Sequence, residues 1–149
     1  MPTSIELSPE MMRAIIMDHY SAPRNKRQPE GEGFVSTHSA SVNCIDNIDV
    51  FLKMGDDGKV AEAYWDGVAC AISTASTDIV CDLLVGKTEE EAHYLLEQFT
   101  HMLHGEEYDP EPLDEALAFQ NTYRQPNRIH CATIGWDALG ELLKEHHHG

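Results

Sequence analysis

Four cysteines and one aspartate are the residues of this chain best suited to chemistry: Cys44, Cys70, Cys81 and Cys131, with Asp46 two positions after the first cysteine. Thiolates and carboxylates are anionic donors, and three sulfurs with one oxygen would suit a tetrahedral Zn²⁺ ion. The 26 residues from Cys44 to Cys70 and the 61 from Cys70 to Cys131 match no zinc-finger spacing, so the tertiary fold would have to assemble a shared site. In an extended segment Asp46 would point to the same side as Cys44. Cys70 and Cys131 read as helix-start residues, where unpaired backbone N–H groups and the helix dipole favour a thiolate over a thiol. A dication held by Cys44, Asp46, Cys70 and Cys131 would leave a net charge of about −2 and call for nearby donors, for which Arg128 and His130 are the natural suppliers. Spacing alone leaves a second reading open: an ordinary loop residue at Cys44, and helix-start packing at Cys70 and Cys131. Cys81 lies about three helical turns beyond Cys70, roughly 16 Å of rise, so those two cannot share an ion and Cys81 reads as core packing.

These residues need elements to carry them. Ser8 can cap a first helix with Pro9 and Glu10 in its opening turn, and Met12, Ile15, Ile16 and Tyr20 follow at helical spacing until Ser21–Asn25 stop it. Residues 34–42 suit an extended segment. Residues 48–54 alternate apolar and polar, Gly55-Asp56-Asp57-Gly58 is a turn, and residues 60–65 complete an antiparallel hairpin. From Ala71 to Val85 small residues dominate, with Ile72, Ala75, Ile79 and Leu83 as a stripe. Thr88 and Glu91 then form a capping box for a helix closed by Gly105. Residues 106–125 are acidic and broken by Pro110 and Pro112, an excursion with a short helix around Leu113, Ala116, Leu117 and Phe119. Trp136, Leu139, Leu142 and Leu143 supply the buried face of a last helix expected to follow Cys131. Strands early and helices late predict one α+β domain over residues 1–149, a small antiparallel sheet with helices on one face, and a flexible tail at His146–Gly149.

Composition narrows the function classes. With 26 acidic against 10 basic side chains the formal charge is −16, which argues against nucleic acid and against an anionic membrane surface as partners. The 42% of apolar residues is enough for a real core in 149 residues. The first residues lack the pattern of a secretion signal and no apolar run is long enough to span a bilayer, so a cytoplasmic, reducing setting is expected, where cysteines serve better as ligands or thiols than as disulfides. His93, His101 and His104 read as a partly exposed helix surface, and the terminal histidines as a tail or a trimmed tag. Arg24, Lys26 and Arg27 form the one dense basic cluster, a small positive patch that could meet a partner.

Four stretches then resemble, in order, a known family. Asp18-His19-Tyr20-Ser21-Ala22-Pro23-Arg24-Asn25, the Cys44-x-Asp46 pair, Gly67-Val68-Ala69-Cys70-Ala71-Ile72-Ser73 and Arg128-Ile129-His130-Cys131-Ala132 are similar to the IscU/NifU-like iron–sulfur assembly family over nearly the whole chain. The insertion around residues 105–109, and Cys131-Ala132-Thr133 followed by Trp136, resemble the SufU branch. The resemblance implies a SufE/NifU-like fold and a zinc-bound acceptor of persulfide sulfur, a sulfurtransferase working with a PLP-dependent cysteine desulfurase of the SufS type and with downstream iron–sulfur assembly proteins. It implies Cys44, Asp46, Cys70 and Cys131 as zinc ligands and Cys44 as the accepting thiol. Ile45 stands where the family has glycine, which stiffens the loop, and His130 stands where SufU proteins carry lysine, as in many IscU scaffolds. Two alternatives follow: a scaffold assembling an iron–sulfur cluster on the same ligands, and a zinc-stabilised interaction module without thiol chemistry.

Overall fold

A computed structural model describes residues 7–40 and 45–148, with side chains through Lys144. The first helix, α1 (Pro9–Ser21), starts as its sequence dictates: the Ser8 side chain accepts from the Met11 N–H and Pro9 occupies the first turn, where its missing N–H costs nothing. Its buried face differs from the expected stripe. His19 is fully buried and Tyr20 is exposed, because the imidazole finds polar partners in the interior that make its burial tolerable.

Strands β1 (Phe34–Ala40), β2 (Asn47–Met54) and β3 (Val60–Val68) form one antiparallel sheet in the order β1-β2-β3. Ile48, Val50 and Leu52 alternate inward along β2 and Ala63 and Trp65 along β3, which is the hairpin pattern read from the sequence, while Val60 is buried beyond an irregularity in the register at Lys53/Met54. The segment after α1, expected only to stop the helix, covers the outer edge of β3. The Trp65 N–H donates to the Asn25 carbonyl at 3.0 Å and the Arg27 N–H donates to the Trp65 carbonyl at 2.8 Å. An open strand edge is thereby closed at the position of the largest core side chain.

Helices α2 (Ala71–Leu84) and α4 (Pro126–His148) cover one face of the sheet, α2 against β3 and α4 against β1 and β2. Helix α2 is the centre of the molecule, packed also against α1 and the acidic excursion, so burial runs continuously from Ser73 to Cys81 rather than along a single stripe. Its small residues let α4 come close. A Cβ added to Gly135 would sit 2.2 Å from Thr77 Oγ1, so only glycine fits there. Hydroxyl groups of α2 stitch the contact: Ser76 Oγ donates to the Ala132 carbonyl at 2.6 Å and accepts from Trp136 Nε1 at 2.8 Å.

Helix α3 (Glu89–Leu103) has both bonds of the Thr88/Glu91 capping box, and Trp136 of α4 stacks on its Phe99 with ring centroids 3.6 Å apart. The excursion contains a 3₁₀ segment, Glu111–Phe119, kinked at Asp114, whose Leu113, Ala116, Leu117 and Phe119 all enter the core. One boundary needs correction. Helix α4 begins at Pro126, not after Cys131, because that proline acts as a first-turn residue and not as a break. At its other end the helical backbone runs to His148, into the stretch expected as a tail.

Candidate metal centre

Asp46 is the residue immediately before β2, Cys70 caps the N-terminus of α2, and Cys131 lies in the second turn of α4. The pairing of β2 with β3 brings the first two together. Ile48 faces Gly67 in the register, and Gly67 has φ of +125° with no room for a side chain: a Cβ would stand 2.3 Å from the Asn47 carbonyl oxygen. Glycine therefore lets the end of β3 press onto the start of β2 and carries Cys70 to Asp46. The α2–α4 contact brings the third. One ligand atom from each of Asp46, Cys70 and Cys131 lies within 4.8 Å of the other two.

Hydrogen bonds fix the arrangement. The Cys70 N–H donates to Asp46 Oδ1 at 2.8 Å, and the Ser73 hydroxyl lies 2.6 Å from Asp46 Oδ2 and 2.8 Å from the Cys131 carbonyl oxygen. The Ser73 N–H points at Cys70 Sγ, 3.5 Å away, so the sulfur itself is the helix cap. Cys131 was expected at a helix start as well, and the earlier start of α4 changes that: the cysteine is past the first turn, where the dipole's influence fades.

Asp46 and Cys131 are buried and Cys70 is half-buried, so the donors are shielded but reachable from one side. Two sulfurs and a carboxylate oxygen match the preference of Zn²⁺, around which two thiolates at bond lengths of about 2.3 Å stand roughly 3.8 Å apart. The spacing here is within a small adjustment of that. Cys44, expected as a fourth ligand, lies outside the described residues. Arg128 and His130, expected as donors to the site, are both exposed on the opening turns of α4. The donors seen on Asp46 and Cys70 are the N–H groups of Cys70 and Ser73 and the Ser73 hydroxyl. Ser73 was not singled out by the sequence, although it lies three residues after Cys70, the distance at which a helix-capping side chain meets the backbone. Cys81 is wholly buried as expected, and that burial, with the neighbouring charges of Asp78 and Asp82, pushes its thiol well above the ordinary value of 9.0.

A second polar cluster was also missed. Asp78, fully buried on α2, accepts from the Asn25 N–H at 2.8 Å and Trp65 Nε1 at 3.1 Å through Oδ1, and from His19 Nδ1 at 2.7 Å and the Arg24 N–H at 3.1 Å through Oδ2. The signal available was that Asp78 is one of only two charged residues in α2, the other being Asp82. On the other side of the ring, His19 Nε2 lies 3.1 Å from Glu115 Oε1.

Fold and donor set together define an α+β chain that gathers sulfur and carboxylate ligands where its sheet meets its central helix. The chain belongs to the NifU-like N-terminal domain family, whose model matches residues 11–148. The zinc-dependent sulfurtransferase SufU of Bacillus subtilis (strain 168) is 36% identical to it over 131 residues, spanning 87% of this chain and 86% of its own. The iron–sulfur cluster assembly scaffold protein IscU of Streptococcus pyogenes serotype M1 is 33% identical over 132 residues, 88% of this chain and 81% of its own. The N-terminal region of a nitrogen-fixing NifU-like protein from Brucella abortus shares the fold, with a TM-score of 0.79 at 18% identity over 92% of this chain and 96% of its own. The IscU/NifU-like family and the antiparallel-sheet architecture read from the sequence are both borne out. No helix among the described residues is long and apolar enough to cross a membrane.

Proposed function

We propose that this chain is a zinc-dependent sulfur acceptor that takes persulfide sulfur from a PLP-dependent cysteine desulfurase of the SufS type and passes it towards iron–sulfur cluster assembly. The observation that carries the reading is the convergence of Asp46, Cys70 and Cys131 from three elements that are remote in sequence onto one point. The likeness to a zinc-dependent sulfurtransferase supports it. Cys44 completes the set as ligand and acceptor, two residues from Asp46.

Bound zinc would hold the coordinating thiols deprotonated at neutral pH. The residues do the rest. Cys70, seated on the helix start, and Asp46, pinned by two donors, hold the site's shape. Cys44, two positions before Asp46 in the sequence, is the thiolate that attacks the outer sulfur of the partner's persulfide; a new S–S bond forms at Cys44, the old one breaks, and the partner's cysteine leaves as a thiolate. No oxidant is consumed. The exposed Ile45, next to Asp46 in sequence, and Val68, two residues before Cys70, give this end of the molecule apolar surface suited to a protein partner.

The scaffold reading, with a cluster built on the same ligands, draws on the likeness to IscU and on His130. The two separate cleanly. The proposal expects about one zinc per chain in freshly purified protein and faster desulfurase turnover on mixing, with Cys44→Ala abolishing that stimulation. A Cys44→Ala chain that stimulates as well as the parent overturns it, and an oxygen-sensitive coloured cluster after anaerobic reconstitution favours the scaffold.

A further inference from the structure

Ser73 is fully buried at the centre of the donor set, and its hydroxyl carries one proton between two acceptors. The Cys131 carbonyl is inside α4 and has the N–H of the following turn available to it. The Asp46 oxygen is the nearer of the two, at 2.6 Å against 2.8 Å, so the hydroxyl proton is directed to Asp46. Together with the Cys70 N–H on Oδ1, that bond fixes the plane of the carboxylate from both oxygens and leaves each oxygen a second lone pair. Through its own N–H the same residue orients Cys70 Sγ. Donors at the start of β2, at the cap of α2 and within α4 thus meet around one side chain.

We propose that Ser73 is a positioning residue for the metal site, acting through Asp46; the proposal rests on the zinc reading above. Outer partners of metal ligands typically govern affinity by roughly 10–100-fold when removed. Ser73→Ala is therefore expected to weaken zinc binding about tenfold, measured by competition with a chromophoric chelator. Ser73→Thr, which keeps the hydroxyl, is expected to restore most of it. The discriminating measurement is the double-mutant cycle with Asp46→Ala. If Ser73 acts through the carboxylate, its removal changes affinity little once Asp46 is gone.

Each result reads separately. A parent chain that does not hold zinc against the chelator ends the metal reading, and this proposal with it. A parent that binds zinc while Ser73→Ala binds equally well overturns the Ser73 role alone. Equal losses in both backgrounds assign Ser73 to general packing and also overturn it. Thermal unfolding of the metal-free chains accompanies the titrations. Should Ser73→Ala fail to fold, Ser73→Gly takes its place in the cycle: it also removes the hydroxyl, and a loss of the same size in the Asp46→Ala background overturns the proposal.

Discussion

Two buried aspartates divide the labour of this molecule. Asp78 is met by four donors, two on each oxygen, drawn from α1, the segment after it and β3. Asp46 is met by two, one on each oxygen, with two sulfurs as its other neighbours. A carboxylate with all four lone-pair sites taken by protein donors has nothing left to offer. One with half of them spare, set beside thiols, still has lone pairs to offer, as the proposed zinc site requires. The contrast teaches that burial and charge do not by themselves mark a functional residue; the count of unsatisfied acceptor sites does.

The largest expected effect tests the closed member of the pair. Asp78→Ala strands the Trp65 indole N–H, two backbone N–H groups and a buried imidazole, and should lower stability by about 3–5 kcal/mol in urea denaturation; a loss below about 1 kcal/mol would erase the contrast. Asp46→Ala should be milder without metal, about 1–3 kcal/mol, while weakening zinc by more than the roughly 10–100-fold that an outer partner controls. If the alanine chain kept zinc at parent affinity, Asp46 would be no more a ligand than Asp78.

The smallest effect compares the two ends of α2. Cys70 at the helix start should alkylate readily in metal-free protein at pH 8, and Cys81, one turn past Asp78, should be spared until the chain unfolds, as mass spectrometry of digested peptides would show. The buried thiol keeps its proton to a higher pH than it does in the unfolded chain, so the unfolded state binds fewer protons above pH 9.0. Stability should therefore fall as pH rises beyond that value, and Cys81→Ala should flatten the fall. Equal labelling of both thiols would mean that the Asp78 end is as open as the site.

What the sequence disclosed was decided by range. The Ser8 cap, the Thr88/Glu91 box and the hairpin turn at Gly55–Gly58 were legible because their partners lie within a few residues. Pro126 was misread because the same residue type both opens helices and ends other elements, and only the tertiary setting of Ile129 and Ala132 shows which. His19 gave no warning of its burial, since what makes it tolerable is supplied by Asp78, 59 positions away, and Glu115, 96 away. At the site, Asp46, Cys70 and Cys131 were singled out from the motifs around them, and the fold brings the three together. Ser73 was not, because what makes it matter is the nearness of α4.

That nearness has a mechanical side. Gly135 meets Thr77 one helical turn beyond Cys131, and the contact leaves no slack for even a methyl group. A slide of α4 by a single residue would move its sulfur by about 1.5 Å, more than half a metal–sulfur bond length. If the proposed zinc binds here, the fit of the centre would be set, like the jaw of a vernier, by a notch cut elsewhere along the same two rods.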